Sequence, residues 1–227
     1  MHDKEYMHYL EQFVTEKRRS LFKKVLEDRT RHFTVAIEDI YQPQNAAAVV
    51  RSCEVFGIQD VHVIENKYNF YASNQVAKGA QKWLSFHNFS DRETPNTSNC
   101  IDSLREKGYQ IVATTPHNDA SMLPDFDVTK KTAFFFGVEK EGLSDEVLEK
   151  ADGSLKIPMV GFTESLNISV AAAIILHDVT SRVKASGVPW QLSDEEKAEL
   201  YLEWLEKSIK SIKRIKEHYF KKLGSVE

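Results

Sequence analysis

Three short stretches of the 227-residue chain set polar side chains where local sequence would hold them at a ligand. The first, NAAAVVRSCEVFG, carries Asn45 and Arg51. Asn45 stands where a helix is expected to begin and reads locally as an N-cap. Arg51 is nearly two turns further and about 120° round that helix. A guanidinium amid alanines and valines either snorkels to water or sits beside a phosphate. The second, GVEKEGLSDE, places Glu139 between Gly137 and Gly142, just after the apolar run TAFFFGV. Ligands of open parallel sheets lie beyond the carboxyl ends of strands, and glycines let backbone come close to them. A turn with a solvated glutamate is the plain alternative. The third, IPMVGFTESLNISVAAAII, spans residues 157–175. Ser165 and Asn167 both precede a helix; one can cap it, which leaves the other to face a ligand. Each stretch has a structural explanation by itself, but the three together are not explained so cheaply.

These side chains need strands and helices to position them. Phe33–Ile37, Val61–Ile64, Gln110–Thr114, Thr132–Val138 and Leu155–Ile157 read as short apolar strands. Between and after them, Ala46–Phe56 (closed by Gly57), Ile101–Lys107 (closed by Gly108), Ser144–Lys150 and Asn167–Val183 read as helices. Residues 4–28 look helical, and Ser193–Leu223 reads as one or two charged helices. Residues 67–98 are expected to be mostly loop. Most strands are continuous apolar runs, as in a parallel sheet covered on both faces. The predicted fold is α/β: a mostly parallel sheet with helices on both faces and helical extensions at both ends.

Bulk properties narrow the function classes. No run of about 18 apolar residues exists, so no membrane-spanning helix is expected, and the first residues, MHDKEYMHYLEQF, lack an apolar signal core. Two widely separated cysteines, Cys53 and Cys100, form no disulfide framework and suit a reducing cytoplasm. The net charge of −4 hides two basic stretches, KRRSLFKK at 17–24 and KSIKSIKRIKEHYFKK at 207–222. Such stretches, more than the total, make an electrostatic footprint for a phosphate backbone; a solvated helix face is the other reading. The first strand–turn–helix unit, AIEDIYQPQNAAAVVRS, contains no glycine, which argues against a dinucleotide-binding turn. GVEKEGLS lacks the lysine of a phosphate-binding loop, and no GxSxG elbow is present. The eight histidines form no HxxxH pair and no cluster with cysteine, so no metal is expected.

The three stretches, in this order and at this spacing, resemble the SpoU/TrmH family of SPOUT RNA 2′-O-ribose methyltransferases, from about residue 31 to about 187. Gly79-Ala-Gln-Lys-Trp83 resembles a further segment of that family. The resemblance implies a C-terminal trefoil knot, which general topology rules would not suggest. It implies S-adenosylmethionine held against the loops around Thr114, Gly137, Ile157 and Leu166, and a homodimer with each site completed near the interface. It carries the family's functional positions onto Asn45, Arg51, Glu139, Ser165 and Asn167. The implied organisation is an RNA-contacting helical extension (1–30), a catalytic domain (31–187) and a basic helical extension (188–227). Arg18, Arg19, Arg182, Lys210, Lys213 and Arg214 are the expected RNA contacts. Two departures stand out: the third-motif helix ends Thr180-Ser-Arg182 where an Arg-x-Arg pair is common, and Gln44 precedes Asn45 where a histidine is common. The implied activity is S-adenosylmethionine-dependent 2′-O-methylation of a ribose in tRNA, most simply a D-loop guanosine. The alternatives are a ribose in ribosomal RNA or elsewhere in tRNA, and a non-catalytic RNA-binding module of the same fold.

Overall fold

The computed structural model describes residues 2–71, 77–116, 120–138 and 141–223. The chain divides into two compact units, Thr30–Trp190 and a second that joins Met1–Arg29 with Gln191–Glu227. In Thr30–Trp190 the strands are β1 (Phe33–Glu38), β2 (Asp60–Ile64), β3 (Ser85–Phe89), β4 (Gln110–Thr114), β5 (Ser121–Met122), β6 (Thr132–Phe136) and β7 (Gly153–Lys156). They form one sheet in the order β3-β2-β1-β6-β4-β7-β5, with every neighbouring pair parallel. The helices are α3 (Pro43–Val55), α4 (Asn96–Glu106), α5 (Asp145–Lys150) and α6 (Ile168–Ala185).

The continuous apolar runs of β1, β2 and β6 are buried along their whole length, because helices cover both faces. On one face Phe33, Val35, Ile37, Val61, Val63, Phe134 and Phe136 pack against Val49, Val50 and Cys53 of α3 and Ile175, Leu176 and Val179 of α6. On the other, Ala36, Ile64, Ala133, Phe135 and Ile111 pack against Ile101 and Leu104 of α4 and Val147 of α5. The period-two alternation survives, but both halves of it are apolar. Each fully buried phenylalanine in β6 contributes roughly 1.5–3 kcal/mol through removal from water.

Several expectations are corrected. Asn45 is not the N-cap of α3; the helix starts at Pro43 with Gln42 as the capping residue. Proline is tolerated in a first turn, where its missing N–H has no helical acceptor, so it opens the helix here and does not precede it. The predicted loop over 67–98 contains β3, an edge strand that is only half-buried and so lacks a strong apolar signature. The helical stretch expected over 4–28 is resolved into two helices, α1 (His2–Glu11) and α2 (Glu16–Leu26), with an extended Thr15 before the second.

The second unit is helical throughout, and adds α7 (Asp194–Ser208) and α8 (Ile212–Leu223) to α1 and α2. Ser193 and Glu196 form a capping box at the start of α7. The core of the unit is aromatic. Trp204 meets Phe22 edge-on at 5.7 Å and lies 5.5 Å from the buried guanidinium of Arg29. Tyr201 donates to Glu11 at 2.8 Å, and Tyr6 donates to Glu206 at 3.0 Å. Chain ends that are remote in sequence thus share one core, a pairing that helical periodicity does not report.

Candidate active site

The functional side chains gather at the carboxyl ends of the strands. Asn45 lies in the first turn of α3 and is almost fully buried. Its Nδ2 donates to Gln42 Oε1 at 2.7 Å, and Asn167 Nδ2 donates to its Oδ1 at 3.2 Å. Asn167 caps α6, its Oδ1 accepting from the Ser169 amide at 2.8 Å and the Ser169 hydroxyl at 2.5 Å. The cap left open by sequence therefore belongs to Asn167, and Ser165 is the one left to face a ligand. The Gln42–Asn45–Asn167 chain joins the starts of two helices 122 residues apart in sequence. Sequence reading missed Gln42; its place beside Pro43 at a helix start was the available signal.

Beside this chain lies a cavity of about 790 Å³. Thr114, Gly137, Ile157, Leu166 and Ser165 all line it. Its walls come from the segments that follow β4, β6 and β7 and from the first turns of α6. The apolar part is Leu155, Ile157, Leu166 and Ile175, and Glu141 and Glu164 bring carboxylates to the lining. A space of this size, apolar with a few polar groups, accepts a nucleoside-sized ligand, and the carboxylates suit one that carries positive charge. The Thr114 hydroxyl donates to the Phe135 carbonyl at 2.7 Å, which ties β4 to β6 at the rim.

The two glycines of the second motif have a more local reason than sequence suggested. Val138 and Gly142 exchange backbone hydrogen bonds of 3.0 and 2.9 Å, closing the turn on itself. A Cβ on Gly137 would stand 2.1 Å from the Gly142 carbonyl oxygen, and Gly142 has φ of +73°. Close approach here is between backbone and backbone. Glu139 lies outside the described residues.

A buried carboxylate that sequence reading missed anchors this turn. Glu38, at the end of β1, accepts from the Ser144 amide and hydroxyl at 2.8 Å each and from the Thr97 hydroxyl at 2.8 Å. Ser144 in turn caps α5. The signal was a charge closing the apolar run FTVAIE; a buried acid must find donors.

Not every expected site residue joins the cavity. Arg51 is exposed on α3, about 9 Å along the axis from Asn45. It is not among the residues lining the cavity. Arg182 is half-buried: its guanidinium donates to the carbonyls of Phe126 and Leu123 at 2.7 and 2.8 Å and to Asp178 at 2.8 Å. In the helical unit Arg19 pairs with Glu11 at 3.7 Å. Arg18 is exposed on α2, and Lys210, Lys213 and Arg214 are exposed at the end of the chain. Among the described residues no group of three or more His, Cys, Asp or Glu could hold a metal ion, and no helix is long and apolar enough to cross a membrane.

Comparison with known proteins places this geometry. Residues 32–177 match the model of the SpoU rRNA Methylase family. The chain is 39% identical over 202 residues to a tRNA (guanosine(18)-2′-O)-methyltransferase of Borreliella burgdorferi, covering 89% of this chain and 90% of that one. It is 37% identical over 172 residues to the protein of that name in Thermus thermophilus, covering 75% and 86%. The crystal structure of the A. aeolicus TrmH/SpoU tRNA modifying enzyme superposes with a TM-score of 0.76 at 28% identity, over 86% of this chain and 98% of that one. The SpoU methyltransferase AviRb of Streptomyces viridochromogenes, crystallised with its cofactor AdoMet, shares the fold with a TM-score of 0.60 at 23% identity, over 72% and 65%. The ordered motifs, the parallel sheet and these matches agree: this chain belongs to the SpoU methylase family.

Proposed function

We propose that the protein transfers a methyl group from S-adenosylmethionine to the 2′-hydroxyl of a guanosine ribose in the D-loop of tRNA. The observation that carries this reading is the Asn45–Asn167 hydrogen bond beside a cavity that Thr114, Gly137, Ile157, Leu166 and Ser165 line together. The relatives named for guanosine-18 methylation, which match most of the chain, support the choice of substrate. S-adenosylmethionine, when bound among the cavity residues, supplies an electrophilic methyl group.

The chain's own task is positional. Asn45 and Asn167, already fixed against each other, orient the ribose. Ser165 shapes the site or binds a phosphate, and Glu139 positions Arg51 or the substrate. A guanidinium is a very poor proton acceptor and keeps its proton at neutral pH. Arg51 therefore first holds the target phosphate and stabilises the alkoxide that develops on the 2′-oxygen. Removal of the 2′-proton through Arg51 requires assistance from that phosphate.

Arg51 stands off the cavity of its own chain, which favours a homodimer whose partner copy completes each site. Val55 on α3 and Val170 and Ile174 on α6 are exposed apolar residues on two helices that pack together, a surface suited to a second copy. The insertion of β7, the last strand in the chain, between β4 and β5 favours the family's threaded trefoil. Arg18, Arg19, Arg182, Lys210, Lys213 and Arg214 contact tRNA phosphates, Arg19 and Arg182 by loosening their pairs with Glu11 and Asp178. The protein works in the cytoplasm and uses no metal. Because the matched family is described by rRNA, ribosomal RNA is the second reading. Labelled methyl incorporation into tRNA and into ribosomal RNA decides between them. Preferential labelling of tRNA is expected, and preferential labelling of ribosomal RNA would reverse the assignment.

A further inference from the structure

We propose that Tyr41 and Tyr68 form the platform on which the base of the target nucleotide stacks. The proposal rests on the reading of the site as an RNA ribose methyltransferase. The two ring centroids are 5.3 Å apart with planes inclined at 48°, so neither ring covers the face of the other. Tyr41 is 50% exposed and Tyr68 42% exposed. A single exposed tyrosine needs no explanation, but this pair has a position and a support that one would not.

The position is at the asparagine pair. Tyr41 lines a shallow niche with Gln42, Asn45, Val138 and Ile168, and the last two also wall the main cavity. The support comes from both sides. Gln42 Nε2 donates to the Tyr41 hydroxyl at 3.3 Å. Asp39 Oδ1 accepts the amides of Asn66, Lys67 and Tyr68 at 2.8, 2.8 and 3.3 Å, which fixes the segment carrying Tyr68. Asp39 does so with φ of +53°, a conformation that costs a non-glycine residue energy and clusters at functional sites.

The chemistry follows from the substrate. A nucleotide that presents its 2′-hydroxyl to Asn45 and Asn167 must leave its own stack, and splayed RNA bases are taken up on aromatic rings. A planar base can lie flat on one of the two inclined rings while the other tilts against its edge, and the larger area of a purine reaches both. Tyr41 and Tyr68 are thus positioning and specificity residues: they hold the base so that the ribose meets the asparagines.

The test compares Y41A, Y68A and the double Y41A/Y68A with Y41F/Y68F and Y41L/Y68L, using the full chain, a tRNA transcript and labelled S-adenosylmethionine. Loss of base stacking predicts a fall in kcat/KM of about 10-fold to 100-fold in the double alanine variant. That fall is carried mainly by KM for tRNA, with S-adenosylmethionine affinity by calorimetry unchanged. The phenylalanine pair rescues the loss because it keeps the rings, whereas the leucine pair keeps bulk without rings and does not. Kinetics unchanged in the alanine variants, or phenylalanine variants as impaired as alanine, would overturn the platform alone. A wild-type protein that methylates no RNA would overturn the proposed function and the platform with it.

Discussion

At the flank of the sheet, Asp60, His62 and His87 form a cluster closed on itself, whereas Gln42, Asn45 and Asn167 form a cluster that ends in solvent. In the first, the His62 and His87 rings stack at 4.5 Å with planes 15° apart. Asp60 holds His87 at 3.3 Å and Arg31 at 3.0 Å. Burial would raise the Asp60 carboxyl, but the His87 hydrogen bond and the Arg31 charge hold it below the ordinary value. Burial, and then the neighbouring His87, push His62 down to about 3. In the second cluster, Asn167 is exposed and its partner Asn45 opens on the niche beside the cavity. Both clusters are polar and both join distant parts of the chain. The first holds the shifted pKa values but lies at the flank of the sheet, whereas the second has no titratable group and lies beside the cavity at the strand ends, where ligands of open parallel sheets sit.

Removing Arg51, the charge proposed to serve the open cluster, should have the largest effect. Arg51→Ala is expected to lower methyl transfer by about 100-fold to 1000-fold, the usual loss when one charge-stabilising donor is removed. S-adenosylmethionine binding measured by calorimetry should survive. Arg51→Lys should fail as well, because the fork that grips a phosphate is lost. Loss of cofactor binding in step with activity would contradict the separation of roles.

The closed cluster should show itself in stability. His62 titrates near 6.5 when unfolded and at about 3 when folded, so between these values the unfolded state binds the extra proton. Stability should therefore fall as pH drops below about 6.5, by ~2 kcal/mol at pH 5. Asp60, held low, loses its contribution only at still lower pH. His62→Phe keeps a ring against His87 and should flatten the pH 7 to pH 5 difference in Tm; an undiminished difference would point to another group.

Asn167 separates cap from chemistry. Asn167→Ala removes the cap of α6 and should cost about 1 kcal/mol. Asn167→Asp keeps an acceptor for the Ser169 amide but loses the donor to Asn45. It should unfold near the wild-type midpoint, yet methylate poorly. The smallest effect on chemistry is expected from Lys210, Lys213 and Arg214 changed together to glutamine. tRNA binding should weaken across all tRNAs, and its log–log salt slope should shrink by about 2–3, with turnover at saturating tRNA unchanged. Filter binding at several salt concentrations would measure it.

The sequence made the α/β class legible because FTVAIE and TAFFF are largely apolar on both strand faces and alternate with helical segments, as in a covered parallel sheet. Ser165 at the cavity and Asn167 beside it were legible from a helix start with two polar residues where one cap suffices. β3 was not legible, since an edge strand reading SFHNF is half-wet. The cap of α3 was misplaced by three residues, at Asn45 instead of Gln42, because Pro43 can open a helix as readily as precede it. The partners of Arg182 were also hidden, because backbone carbonyls at Leu123 and Phe126 have no sequence signature. The joining of the two chain ends around Trp204 depends on contacts between residues nearly the whole chain apart, which periodicity cannot encode.

The most direct test of the open cluster's role is to incubate the protein with S-adenosylmethionine and unmodified tRNA, then map the product nucleotide by nucleotide by mass spectrometry. The expected product carries a single added methyl on the ribose of a D-loop guanosine. A methyl on a base, a methyl on a ribose outside the tRNA D-loop, or no methyl at all would contradict it.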